Sequence, residues 1–208
     1  MFEISTLLSF VAVVISLFMI PGPSLMLVLN RTVQGGRKVG IMTGLGLAVG
    51  DFIHTLLAAV GLSALLMTSA IAFSIVKYVG AVYLIYLGIR AFRAKTSDPA
   101  LHKMSVITPS RAFLEAIPAE VLNPKTSLFF LAFIPQFVHP ERGTVIIQFF
   151  VLGVIFAVLC SLFSVFIAFT TKTLMLIFKN STWLSRWHGK LVGMIFITIG
   201  FNIAIQKH

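Results

Sequence analysis

Charge is scarce in this sequence. Only 11% of its 208 residues are Asp, Glu, Lys or Arg, where a soluble domain averages about 25%, so a water-facing globular surface of ordinary size is excluded. Acidic residues are the rarest, six against sixteen basic ones. Cysteine is limited to Cys160, set in an apolar run, which excludes an intrachain disulfide and a two-cysteine redox centre. The sequence has no Gly-x-x-x-x-Gly-Lys stretch, no His-Glu-x-x-His and no nucleophile beside a base at recognisable spacing. Nucleotide hydrolysis and nucleophilic catalysis therefore find no support, and the chain reads as neither an enzyme nor a cofactor carrier. Asp51-x-x-His54 stands without further His, Cys or Glu at ligand spacing, short of a metal site.

What is present is apolar: 58% hydrophobic residues and a mean hydropathy of +1.03. Runs of the length needed to span a bilayer, about 20 residues, lie at 4–29, 39–67, 71–92, 112–137, 144–171 and 187–206. The expectation is an all-α integral membrane protein of six transmembrane helices, a single transporter-sized domain over 1–208. The first run has Glu3 where a secretory signal has a positive leader, and it continues apolar after a Pro-Gly-Pro break; it reads as a retained helix. An interfacial placement of this segment stays open.

The net charge of +10 follows topology rather than a nucleic-acid partner. Twelve of the sixteen basic residues, among them Arg31, Arg37, Lys38, Arg111 and Lys190, fall in the connections after the first, third and fifth runs, while Lys77, Arg142 and Lys207 lie on the other side and Lys125 inside a run. The excess marks the cytoplasmic side, so both termini are expected outside the cytoplasm. Trp183 and Trp187 fit a cytoplasmic-side interfacial belt in contact with membrane lipid.

Two runs are interrupted. Pro21-Gly22-Pro23 breaks the first and Asn123-Pro124-Lys125 breaks the fourth, about 101 positions later, and each is followed by a glycine-bearing run, at Gly44 and Gly153. Proline removes a backbone donor and clashes with the carbonyl one turn back, freeing groups that lipid cannot satisfy. A three-helix unit used twice follows: repeat 1 at about 1–92, a cytoplasmic linker at about 93–111 and repeat 2 at about 112–208. Because three is odd, the second copy crosses in the opposite sense, and proline-interrupted helices at matching places of inverted repeats point to a transporter's binding site. The alternative is that both prolines merely kink lipid-facing helices. Against it, the fourth run also carries Glu115, Glu120, Asn123, Lys125 and Gln136, and ionisable groups at membrane depth face a bundle interior or a watery cavity.

Freed N–H groups after a break meet a carboxylate and freed carbonyls before it meet an ammonium, so a zwitterion such as an amino acid suits the pair of breaks. Pro21, Gly22, Pro23, Glu120, Asn123, Pro124 and Gln136 are the candidate substrate-binding or gating residues, with Glu115 placed in solvent. Glycines at 36, 40 and 44 and at 46 and 50 form strips that permit close helix approach, within the chain or in a homodimer. Asp51 and His54 share a helical face, and such a pair can exchange protons in a transport cycle. Asp51 can equally form an ion pair with Lys125, and His54 can be a packing or interfacial residue.

With these residues placed, the chain resembles the LysE/RhtB family of amino-acid exporters over nearly its full length. The match lies in Pro21-Gly22-Pro23, Gly44 to Asp51, Gly80-Ala81-Val82-Tyr83-Leu84-Ile85-Tyr86-Leu87-Gly88, Asn123-Pro124-Lys125, Phe133-Ile134-Pro135-Gln136-Phe137 and the glycines of the last run. The resemblance implies export of an amino acid or related metabolite across a bacterial inner membrane, driven by the proton motive force. Its weight falls on Pro21, Gly22, Pro23, Asp51, Asn123, Pro124 and Lys125. Glu120 departs from the family pattern, which carries a neutral residue there. Rival readings are a transporter of another small solute or metal ion, an intramembrane redox enzyme, and a membrane subunit without transport of its own.

Overall fold

The computed structural model describes residues 2–20, 22–68 and 107–180 as continuous stretches, with isolated positions between 75 and 93 and between 190 and 201. All regular structure among the described residues is helical. Much of the third and sixth runs, both tryptophans, the linker up to 106 and Pro21 lie outside the described residues; the positions described within the third and sixth runs are helical.

Helix α1 (Ile4–Met19) ends at Ile20, whose backbone is extended and whose N–H closes onto the Leu17 carbonyl. The chain re-enters a helix at Pro23, where a missing N–H costs nothing because the first turn has no intrahelical acceptor. This helix, α2 (Pro23–Thr68), contains one non-helical residue, Gly36, at φ 80° and ψ −177°, a conformation that glycine alone adopts without strain. The chain folds back there. Val28 and Leu47 share one buried cluster, and the Thr32 side chain abuts the backbone of Gly40, contacts a straight helix forbids at 1.5 Å rise per residue. α2 is thus an antiparallel hairpin with arms at 23–35 and 37–68.

The fourth run is cut more finely than its central proline requires. Helix α3 (Pro109–Val121) starts from Thr108, whose hydroxyl accepts the Arg111 N–H, and holds Pro118 within it. Helix α4 (Pro124–Ala132) starts from Asn123 as N-cap and closes at Phe133. Two 3₁₀ turns, Ile134–Phe137 and Pro140–Arg142, lead into α5 (Val145–Asn180). The expected single broken span over 112–137 is therefore three pieces. Pro124 has no N–H to continue a ladder, and Pro135 lacks one just beyond α4. By length and composition, the stretches Pro23–Leu62 and Val145–Thr171 pass as membrane spans on their own among the described residues, the first of them folded at Gly36.

The second arm of α2 is the centre of the bundle, and its glycines say why. Gly46 and Gly50 face the Phe113 and Ile117 carbonyls and the Glu120 side chain of α3, while Gly40 and Gly44 face Ala168 and Ser164 of α5. Further along, Gly153 of α5 faces Thr55. Gly40, Gly44, Gly46 and Gly50 are thus filled within one chain, while Gly36, at the turn of the hairpin, has nothing within 4 Å of a Cβ. A phenylalanine cluster supports the far end: Phe129 stacks on Phe133 with centroids 4.8 Å apart, and Phe130 meets Phe156 edge-on at 5.0 Å, pairs worth about 0.5–1.5 kcal/mol each beyond their area. Leu57, Val60, Leu162, Phe166 and Phe169 are exposed, the outward apolar surface that a bilayer covers.

Gln148 pins the connection into α5. Fully buried, it accepts the His139 N–H at 2.9 Å and donates to the carbonyls of His139 and Gly143 at 2.8 and 3.0 Å. Gln148→Leu should lower stability by about 1–3 kcal/mol, the cost of leaving such groups unpaired. Thermal unfolding in detergent measures this, and a wild-type midpoint would show that the turn does not depend on it.

Candidate functional site

The two chain breaks meet. The Ser24 hydroxyl, in the first turn of α2, donates to Glu120 Oε2 at 2.5 Å and accepts from Asn123 Nδ2 at 2.7 Å. Thr126 Oγ1 donates to Glu120 Oε1 at 2.5 Å, and the Asn123 amide lies 3.2 Å from Thr126 Oγ1 and 3.3 Å from Glu120 Oε1. Asn123 Oδ1 caps α4 by accepting the Lys125 N–H at 3.0 Å. The cap fixes Lys125 at the second position of α4. From there its Nζ donates to the carbonyls of Leu17 and Ile20 at 2.8 and 2.9 Å, the last carbonyls of α1, where the helix dipole is negative.

These groups surround a cavity of about 40 Å³ whose polar wall is Gly22, Ser24, Glu120, Lys125, Thr126 and Cys160. Its apolar wall is formed by Leu17, Phe18, Leu25, Val28, Leu47 and Phe163. About 10–15 Å³ of such space admits one water, so the cavity has room for water.

Asp51 lies beside the cavity, fully buried in the second arm of α2. Neither of its carboxylate oxygens has a hydrogen-bond partner among the described residues, and the Glu120 carboxylate and Cys160 thiol are the groups near enough to act on it. His54 is buried one turn on; its Nε2 sits 3.2 Å from the Glu120 carbonyl, which makes that nitrogen the protonated one, and its ring stacks on Phe130 at 5.5 Å. The Asp51–Lys125 pair is not formed in this conformation, because the ammonium is held by the α1 carbonyls. Gln136 lies apart from the cluster, donating to the Ala132 carbonyl at 2.8 Å from its 3₁₀ turn.

Of the residues singled out from the sequence, the structure thus brings together Gly22, Pro23, Glu120, Asn123, Pro124 and Lys125, sets Asp51 and His54 against them, and leaves Gln136 outside. Ser24, Thr126 and Cys160 were not singled out. The first two carried a signal: Ser24 directly follows Pro23, and Thr126 is three positions past Asn123. Cys160 carried none, being one small residue in an apolar run.

Ion pairs link the elements around the cluster. Glu115 is partly exposed to solvent, in line with the expectation, and there it takes Arg31 at 2.5 Å and Arg111 at 2.7 Å, joining the first arm of α2 to α3. At the opposite end Arg142 meets Glu3 at 2.8 Å.

Residues 15–207 match the model of a family described as LysE type translocator. Among curated relatives, an uncharacterized membrane protein of Bacillus subtilis, YrhP, is 31% identical, over 97% of this chain and 99% of its own. A protein named leucine efflux protein in Klebsiella pneumoniae is 25% identical over 98% and 96% of the two chains. Its namesake in Salmonella typhimurium is 27% identical over 91% and 90%. No solved structure matches the chain.

Proposed function

The chain belongs to the LysE type translocator family, and from that premise we propose that it is a secondary transporter exporting an amino acid, leucine being the first to test. It is a membrane protein and a translocator rather than an enzyme. The observation that carries the amino-acid reading is the meeting of two helix breaks across one cavity. There a carbonyl pair at the end of α1, already seating an ammonium, stands beside hydroxyl and amide groups. The cavity's other wall, Leu17, Phe18, Leu25, Val28, Leu47 and Phe163, suits a branched aliphatic side chain and offers no partner to a charged one. The leucine efflux proteins among its relatives support the same substrate class.

Export proceeds by alternating access, driven by the proton motive force with Asp51 as the coupling group. A small cavity at the place where the two helix breaks meet fits one conformer of such a cycle. The six-helix inverted repeat is supported by one internal symmetry: the shift along the chain that carries Gly44 to Gly153 also carries Thr55 to Ser164. The contacts Gly44 with Ser164 and Gly153 with Thr55 are thus equivalent, and Asp51 and Cys160 occupy matching positions. The membrane is the bacterial inner membrane, and an orientation with both termini outside is supported by the basic residues of the connections, Arg31, Arg37, Lys38 and Arg111 among them.

Proteoliposomes loaded with a labelled amino-acid panel test this, with and without an imposed pH gradient. Gradient-dependent efflux of leucine or a close aliphatic relative is expected. Release of no amino acid in the panel above protein-free vesicles would overturn the exporter reading.

A further inference from the structure

Lys125 sits where a ligand would. The Ile20 carbonyl lies past the last turn of α1, and the Leu17 carbonyl, which accepts the Ile20 N–H at 3.2 Å, keeps a second lone pair; the two converge on a single ammonium at 2.9 and 2.8 Å. That ammonium reaches them from another element, and its passage is built for it. A Cβ on Gly22 would stand 3.3 Å from Lys125 Cδ and 3.4 Å from Nζ, so a side chain there would crowd the stem. Lys125 and Gly22 both line the cavity, so the ammonium lies at its edge. The opposite charge acting on Lys125 is Glu120, which also lines the cavity and is tied to Ser24 and Thr126.

We propose that the Leu17 and Ile20 carbonyls form the subsite for the primary ammonium of the transported molecule, and that Lys125 is its tethered occupant in the empty carrier. Ligand ammonium and Lys125 exclude one another. A ligand that enters displaces Lys125 toward Glu120, and when it leaves Lys125 returns and closes the cavity. The identity of the ligand as an amino acid rests on the exporter reading; the subsite itself rests on the carbonyl geometry.

The test uses the purified full-length chain in detergent as wild type, Lys125→Ala and Lys125→Met. Thermal unfolding is followed in methylammonium chloride and in equal tetramethylammonium chloride, which has no N–H to donate. Methylammonium should raise the midpoint of Lys125→Ala by several degrees. It should leave wild type and Lys125→Met, whose stem still fills the passage, unmoved, and tetramethylammonium should move none of them. Methylammonium acting on none of the three, or on all alike, overturns the subsite. Should Lys125→Ala not fold, acylation of Lys125 by acetic anhydride in the wild type decides, read by mass spectrometry with and without leucine. A several-fold faster reaction with leucine is expected, and an unchanged rate in a preparation that exports leucine overturns the displacement. A methylammonium response in Lys125→Ala without efflux of any amino acid would keep the subsite and remove the exporter reading. Efflux of leucine with neither response would do the reverse.

Discussion

Asp51→Asn should reduce gradient-driven efflux to the level of protein-free vesicles while leaving exchange of labelled for unlabelled substrate intact. Asp51 is fully buried, and its carboxylate has no hydrogen-bond partner among the described residues. A bare charge in an apolar interior costs several kcal/mol. Protonation of Asp51 is therefore tied to whether water reaches it, which in the proposed cycle differs between a closed and an open conformer. That link is what coupling requires: a proton taken up on one side must be released on the other, and the structural change must decide which. Asn keeps the shape and removes the titration, so folding and the exchange half-cycle survive and the driven cycle does not. Parallel measurements of counterflow and of efflux under an imposed pH gradient separate the two. Undiminished driven efflux in the variant would remove Asp51 from coupling; loss of exchange together with driven efflux would assign it to binding instead.

Gly50→Leu should cost the protein both its stability and its transport, whereas Gly61→Leu on the same arm should cost neither. A Cβ at Gly50 would stand 2.6 Å from Glu120 Cβ, closer than a Cβ can approach, and a tight 3.1 Å from the Ile117 carbonyl. The α3 backbone would have to retreat, and overpacking of this kind costs about 1–3 kcal/mol or more. The retreat carries Glu120 away from Ser24 and Thr126, whose hydroxyls donate to it at 2.5 Å, so the site is lost along with the packing. Around Gly61 a Cβ meets nothing within 4 Å, and replacing glycine in a helix by leucine gains about 0.8 kcal/mol in propensity. Unfolding midpoints and leucine efflux of the two variants check this; a Gly50→Leu protein that folds and transports as the wild type would show that α3 does not pack on this strip.

Much of the architecture was legible in the chain because it is written locally. Charge scarcity and apolar runs announce a membrane protein through the cost of burying charge in hydrocarbon. Prolines mark where a helix loses its ladder, and both breaks occur where Pro23 and Pro124 stand. The motifs led to the LysE family, to which the chain belongs. Less legible were the subdivision of 112–137, which depended on Phe133 closing α4, and the return of the chain at Gly36, since a run of glycines does not say which one takes positive φ.

The sequence by itself determined that this chain lives in a membrane, that helices break at Pro23 and Pro124, and which polar residues accompany those two breaks. These follow from composition and from interactions within a helical turn or two. Only the tertiary structure decided who meets whom. Lys125 goes to the carbonyls of Leu17 and Ile20 rather than to Asp51, Glu115 takes two arginines, Gln136 stays outside, and Ser24 joins Glu120 across 96 positions. The reason is geometric: a helix sets the face on which a side chain projects, but the neighbour on that face is chosen by close packing of glycine strips. Gly46 and Gly50 bring α3 against one side of α2, and Gly40 and Gly44 bring α5 against the other. That choice of sides is a property of the folded bundle.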